Sequence, residues 1–316
     1  MNDLLLISGA TPRMMDRLTA EFTVHDIQTI DDMPAFLAEH GAKITAVATD
    51  GHLGVRADIM DGLPNLKIIS VYGVGYDGVD TKTAADRGIV VTHTPNVLNA
   101  EVANTTLMLM LAAYRQLRFN EDWVRSGNWK SKGNAPLSRS PDNRTVGILG
   151  MGRIGQMIAE RLQVFNPNIL YHTRTAKDVP YTHVPNLVDM AEQSDVLVVI
   201  TPGGAATRHL VNTDVLNALG PDGLLINVAR GTVVDEDALV AALQDGRLGM
   251  AGLDVFDAEP HVPEALLTMD NVVLQPHVGS GTIETRQAMG DLVCDNLSQF
   301  LKDGTTLTSV PETAHL

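Results

Sequence analysis

The stretch "TVGILGMGRIGQMIAERLQVF", residues 145–165, decides the fold. It opens with an apolar run of strand length, turns through Gly150, Gly152 and Gly155 in a G-x-G-x-x-G spacing, and continues with Ile154, Met157, Ile158, Leu162 and Phe165. Those apolar positions recur at three- and four-residue intervals, so they share one helix face. The glycines permit a tight turn and let backbone N–H groups approach a pyrophosphate at the helix N-terminus. A bare glycine triplet is weak evidence. A triplet set between a strand and a helix points to a dinucleotide site.

Working outward, short β-rich runs alternate with helical patterns over the whole chain. A first series is expected at residues 4–7, 46–48, 67–70 and 89–91, and a second at 146–149, 169–171, 196–200, 224–227, 251–253 and 272–274. Strands separated by crossover-length helical segments imply parallel sheets, and the six-strand second series matches a dinucleotide-binding sheet. Between the series a long helix starts near Asn99, after "HTPN" (93–96), where Pro95 discourages a continuous element and suggests a hinge. Residues 284–301 read as a helix that returns to the first domain, and "WKSKGNAPLSRSPDN" (129–143) reads as a long polar loop.

Composition narrows the function classes. With 316 residues, 44% of them hydrophobic, the chain can build two ordinary domains. Its formal charge of −15 disfavours nucleic-acid and anionic-membrane partners, so an anionic substrate requires a local cationic pocket. One cysteine, Cys294, rules out an intrachain disulfide and a thiolate metal cage, and no metal site is expected. The start, "MNDLLLISGATPRMMD", carries an acid where a signal peptide carries a cation, and a cytoplasmic protein is expected. "TTLMLMLAAY" (105–114) is too short to span a bilayer and reads as a core or interface helix.

The cofactor can be narrowed further at "LYHTRTAKD" (170–178), about twenty residues beyond the glycines, where an NAD-binding fold usually offers an acid to the ribose. No acid precedes Asp178. His172, Thr173, Arg174 and Thr175 stand there instead. A 2′-phosphate is repelled by a carboxylate and favoured by hydroxyls and a guanidinium, so NADPH is expected in preference to NADH, which remains possible.

Ligands of open parallel sheets bind beyond the carboxyl ends of the strands. Three such ends deliver telling side chains: Arg230 in "LLINVARG", Glu259 in "MAGLDVFDAEP" and His277 in "VVLQPHVGSG". Singly, each has a plain structural explanation. Together they suit ketone reduction: an arginine binds a carboxylate bidentately, a histidine donates a proton to a carbonyl oxygen, and a neighbouring carboxylate keeps that histidine protonated.

With these segments in view, the chain resembles the D-isomer-specific 2-hydroxyacid dehydrogenases over nearly its whole length. The resemblance rests on "VYGVGYDGVD" (71–80), "TPNVLNAEVANTTLMLML" (94–111), "VGILGMGRIGQMIAERL" (146–162), "LINVARGTVVDEDALVAAL" (225–243), "GLDVFDAEP" (252–260) and "LQPHVGSGT" (274–282). It implies two doubly wound α/β domains, a Rossmann cofactor domain (98–284) inserted in a discontinuous, flavodoxin-like substrate domain (1–97 and 285–316). By the same resemblance Arg230, Glu259 and His277 are the catalytic residues, while Val74 and Gly75 offer backbone N–H groups to the substrate carboxylate. Thr105, Arg153, Ile154, Thr201, Pro202, Thr207, Val228, Ala229, Asp254, His277 and Gly279 fall where the family touches its cofactor. A homodimer is implied, with the helix after Asn99 and the loop near Trp129 at its interface.

The strand end "HTRT" resembles that of the NADPH-preferring glyoxylate/hydroxypyruvate reductases, which implies reduction of a small 2-oxo acid to the D-2-hydroxy acid. Two alternatives stay open here: an NAD-dependent dehydrogenase of a bulkier hydroxy acid, and a non-catalytic dinucleotide-sensing co-repressor. The significance of Asn104, where several family members carry an acid or another polar group, is open as well.

Overall fold

The computed structural model describes residues 2–316. The chain divides into two compact units, one running to Leu98 and resuming over Ser280–Leu316, the other spanning Asn99–Gly279.

In the first unit, β1 (Asn2–Leu6), β2 (Phe22–Asp26), β3 (Ile44–Thr49), β4 (Ile68–Val71) and β5 (Val90–Thr92) form a parallel sheet in the order β2-β1-β3-β4-β5. This is the flavodoxin-like order. Leu4, Leu5 and Leu6 are buried at successive positions. Since successive side chains point to opposite faces, such a run requires cover on both sides of the sheet. One side of that core gathers Leu5, Val47, Ile69 and Val91 with Ile59, Leu63 and the C-terminal Val310. Edge strand β2 differs: only Phe22 is buried, and no continuous apolar run marks it in the sequence.

The helix Pro12–Glu21 begins at Thr11, whose hydroxyl accepts from the Met14 N–H at 3.2 Å, with proline at the first helical position. Both features suit a helix start. It buries Met14 and Leu18 and pairs with the long helix Ile283–Asp303, where Arg17 meets Asp295 at 2.7 Å and Asp291 at 3.3 Å. The C-terminal helix therefore lies with the first unit. Its N-cap, Thr282, lies ahead of the 284/285 boundary expected from the sequence, so the unit resumes at Ser280.

The second unit holds β6 (Thr145–Leu149), β7 (Asn168–His172), β8 (Thr182–His183), β9 (Val196–Val199), β10 (Leu224–Asn227), β11 (Met250–Leu253) and β12 (Val272–Leu274), all parallel, in the order β12-β11-β10-β9-β6-β7-β8. Counted from β6, this is the Rossmann order 3-2-1-4-5-6 with one further strand. The order reverses between β6 and β9, and the crevice beyond their carboxyl ends is the expected binding place for a ligand. Strands β9 and β10 are buried throughout, and they pack through Leu197, Val199 and Leu225 on Leu216, Leu239 and Leu243.

The helix Asn99–Tyr114 opens this unit. It buries Leu109, Met110, Ala113 and Tyr114 while leaving Met108 and Leu111 exposed, so "LMLML" is divided between core and surface. The expected loop 129–143 is shorter, because Trp129 to Lys132 complete the helix Asn128–Lys132. Among the described residues no helix is long and apolar enough to cross a membrane.

Candidate active site

The turn after β6 sits at the reversal of strand order. Gly150 has φ +110°, a conformation that strains any side chain, and a Cβ on Gly155 would lie 2.1 Å from the Gly150 carbonyl oxygen. Both positions therefore require glycine. The following helix, Arg153–Leu162, starts at Gly152 without a side-chain cap, and nothing lies within 4 Å of where a Gly152 Cβ would be. Open space before the uncapped N–H groups of a ten-residue helix fits an anion such as a pyrophosphate. Arg153 is exposed and Ile154 half-buried at that helix end.

The β7 end is organised unevenly. His172 Nδ1 donates to the Val184 carbonyl at 3.0 Å, and the Thr173 hydroxyl donates to the Thr175 carbonyl at 2.7 Å. The Thr173 proton is thus used within the turn. Arg174 and Thr175 are exposed, and Arg174 has no ion pair among the described residues. A guanidinium with no carboxylate partner beside an acid-free strand end fits a 2′-phosphate. Beyond β9, Thr201 and Pro202 enter a turn closed by the Thr207 hydroxyl, which donates to the Pro202 carbonyl at 2.8 Å.

Past β10, Val228 and Ala229 are buried, and Asn227 folds the chain back: its amide donates to the Arg230 carbonyl at 3.0 Å while its Oδ1 accepts from the Ala229 N–H at 3.1 Å. Arg230 Nη1 donates to the Ala229 carbonyl at 2.8 Å. The sequence reading missed Asn227, although a polar residue ending the apolar run 224–226 is a visible signal.

The β11 and β12 ends are joined through Asp254, which is 2% exposed. Its two carboxylate oxygens accept from the Val278 and Gly279 N–H groups at 2.8 Å each, and its carbonyl accepts from the His277 N–H at 2.8 Å. Burial nevertheless holds the Asp254 carboxyl above its ordinary range. Both oxygens are committed to the 277–279 loop, so Asp254 anchors that loop. Thr105, from the long helix, lies 3.4 Å from the Gly279 carbonyl and supports the same loop.

His277, at φ +53°, places Nδ1 2.7 Å from Glu259 Oε2, and Glu259 Oε1 accepts from the Phe256 N–H at 3.0 Å. The carboxylate side chain is 16% exposed and the imidazole 39%, so the ring is more accessible than the group that holds it. A carboxylate bonded to Nδ1 fixes the ring's orientation and offsets the charge of an imidazolium. A second residue absent from the sequence reading, Glu236, accepts from the Asp257 N–H at 3.2 Å and braces this turn. Burial, with Asp257, Asp237 and Glu259 nearby, raises its carboxyl above the usual range.

Val74 and Gly75 belong to the first unit, on the loop after β4. There the Thr94 N–H donates to the Gly73 carbonyl at 2.8 Å and ties the loop to the end of β5. Asn104 also finds its place: it accepts from Arg161 Nη1, which donates to the Ala100 carbonyl at 2.7 Å as well. Asn104 therefore locks the helix of the glycine turn to the helix Asn99–Tyr114.

Residues 107–279 match the model of the D-isomer specific 2-hydroxyacid dehydrogenase NAD binding domain. A glyoxylate/hydroxypyruvate reductase A of Arabidopsis thaliana is 44% identical over 97% of this chain and 98% of its own length. A 2-ketogluconate reductase of Gluconobacter oxydans is 42% identical over 98% of each chain. The crystal structure of an NADPH-dependent glyoxylate/hydroxypyruvate reductase from Sinorhizobium meliloti, in complex with NADP and malonate, superposes with a TM-score of 0.94 at 48% identity, over 99% of this chain and 98% of that one. The order of strands, the glycine turn and these full-length similarities agree: the chain belongs to the D-isomer-specific 2-hydroxyacid dehydrogenases.

Proposed function

We propose that this protein reduces a small 2-oxo acid, glyoxylate or hydroxypyruvate, to the D-2-hydroxy acid with NADPH. The observation that carries the reading is the 2.7 Å His277–Glu259 pair at the carboxyl ends of the second sheet, with the imidazole 39% exposed. The names of the Arabidopsis and Sinorhizobium relatives support the substrate class.

The N–H groups at the start of the helix Arg153–Leu162 would hold the pyrophosphate of a nicotinamide cofactor and Arg174 and Thr175 its 2′-phosphate, and the cofactor when bound would supply the hydride. Thr201, Pro202, Thr207, Val228 and Ala229 are the residues that would hold the rest of the cofactor. In the second unit Arg230 is the carboxylate-binding candidate, since a planar guanidinium matches two carboxylate oxygens; in the first unit the Val74 and Gly75 N–H groups are assigned to the substrate carboxylate as paired peptide donors. His277 gives its Nε2 proton to the carbonyl oxygen, and Glu259 holds the ring through Nδ1. Asp254 and Thr105 keep the histidine loop in position, whereas Asn104 braces the cofactor domain.

A bulkier sugar-acid substrate is a second reading, favoured by the Gluconobacter 2-ketogluconate reductase. A panel of glyoxylate, hydroxypyruvate, pyruvate and 2-ketogluconate, each assayed with NADPH and NADH at the nicotinamide absorbance band, decides between them. Highest kcat/KM for glyoxylate or hydroxypyruvate with NADPH supports the proposal, and a preference for 2-ketogluconate or for NADH contradicts it. A cytoplasmic homodimer is the setting we infer, because reduced nicotinamide is maintained inside cells and Leu117, Val124 and Trp129 expose apolar side chains on adjoining short helices.

A further inference from the structure

The loop that carries Val74 and Gly75 is held by more than backbone. His93, one residue past β5, directs Nδ1 at the Val74 carbonyl oxygen, 2.8 Å away. A carbonyl only accepts, so Nδ1 carries the proton and donates it. Tyr76, from the same loop, stands edge-on to the His93 ring, with centroids 5.4 Å apart and planes at 90°, and its hydroxyl donates to the Glu312 carboxylate at 3.3 Å. His93 is itself fixed from the C-terminal segment. The Thr308 hydroxyl donates to the His93 carbonyl at 2.6 Å, and the His93 N–H donates to the Thr308 carbonyl at 3.2 Å. Asn296, 0% exposed in the C-terminal helix, donates to the Thr308 hydroxyl at 2.8 Å and accepts from the Leu307 and Thr308 N–H groups at 2.9 and 3.0 Å.

The Val74 carbonyl and the Gly75 N–H are two ends of one peptide group. Hydrogen bonds in series polarise one another, so a donor on the carbonyl makes the N–H of that peptide a stronger donor. The same bond fixes the peptide plane and hence the direction of the Gly75 N–H.

We propose that His93 is a positioning residue for substrate: by donating to the Val74 carbonyl it orients and polarises the Val74–Gly75 peptide for a carboxylate, with the Asn296–Thr308 pair holding it in place. The inference rests on the assignment of the Gly75 N–H to the substrate carboxylate made above. It gives the C-terminal segment a part in substrate recognition, reached through hydrogen bonds within the first unit.

The test compares His93→Leu, which has no donor, with His93→Asn, whose amide can occupy the place of Nδ1. Each is assayed with glyoxylate and NADPH, with oxalate as competitive inhibitor, and NADPH affinity is measured separately by fluorescence titration. Loss of one such hydrogen bond is expected to raise the glyoxylate KM and the oxalate Ki of His93→Leu together by roughly 3- to 10-fold, with kcat within about twofold and NADPH affinity unchanged. His93→Asn is expected to recover most of that loss. An unchanged KM and Ki in folded His93→Leu, or an equal defect in His93→Asn, overturns the proposal. A fall in kcat and NADPH affinity alongside KM overturns it too, because that pattern marks general damage to the fold. If the parent enzyme itself reduces none of the 2-oxo acids, the functional reading fails first and this inference falls with it, whereas an active parent with indifferent variants removes the inference alone.

Discussion

At the scale of single residues, the proposed site depends on how the fold anchors each functional side chain. His277 spends Nδ1 on Glu259 and retains Nε2, and Arg230 is held by its own turn through the Ala229 carbonyl. Arg174 is the opposite case, an exposed cation without an ion-pair partner among the described residues. Its value is expected to appear only with a 2′-phosphate present. Replacing Arg174 by aspartate should lower the NADPH-to-NADH ratio of kcat/KM by at least about 10-fold, since a charge-assisted hydrogen bond contributes roughly 1.5–3 kcal/mol and the new carboxylate repels the phosphate. Steady-state kinetics with both nicotinamides measures this, and an unchanged ratio would remove Arg174 from the cofactor site. The contrast with Thr173, whose hydroxyl proton is spent on Thr175, was not visible in "HTRT", because side-chain hydrogen bonds within a turn depend on backbone geometry that residue identity does not specify.

At the scale of elements, the glycine turn is the most constrained junction. A Cβ on Gly155 would sit 2.1 Å from a backbone oxygen, so Gly155→Ala must displace the helix Arg153–Leu162 from the β6 end. A melting temperature lower by at least several degrees and NADPH binding weakened by about 10-fold or more are expected, consistent with overpacking costs of about 1–3 kcal/mol. Thermal denaturation and fluorescence titration report the two effects; a variant with native stability and native affinity would mean that the turn tolerates a side chain. Most strands were legible because they are buried on both faces and read as continuous apolar runs, as in 196–199 and 224–226. Strands β2 and β8 were not. Each lies at an edge of its sheet, β2 buries only Phe22, and β8 is two residues long, so neither carries the pattern that burial imposes. The residues proposed to carry the chemistry could be singled out in the sequence because they follow readable strands. Asn227 and Glu236 act through backbone groups brought close only by the folded turns, and nothing in their spacing announces those partners.

At the scale of the whole molecule, two properties are open to solution measurement. Burial pushes the Tyr114 phenol up to about 12, and the side chain is 1% exposed. The folded state therefore retains a proton that the unfolded chain releases near pH 10. The linked stability is fully present below about pH 10 and is lost as pH rises from there through about 12, by on the order of 2 kcal/mol. Denaturant unfolding across that interval should show a shallower decline for Tyr114→Phe than for the parent, and parallel declines would contradict the assignment. The second property is assembly. Leu117 and Trp129 are 59% and 60% exposed, and a paired substitution of both by glutamate should convert the inferred dimer to a monomer in sedimentation velocity. A parent already monomeric at micromolar concentration, or a variant still dimeric, would place the interface elsewhere or abolish it.

The claim on which the rest depends is that an imidazole held by Glu259 delivers the proton to the 2-oxo acid. Single-turnover reduction of glyoxylate by NADPH-loaded protein, parent against His277→Ala, tests it most directly. We expect the rate to fall by about 10²-fold or more, as for loss of a general acid, with the NADPH dissociation constant within about twofold of the parent value. Equal rates in the two proteins, with cofactor bound alike, would contradict the account.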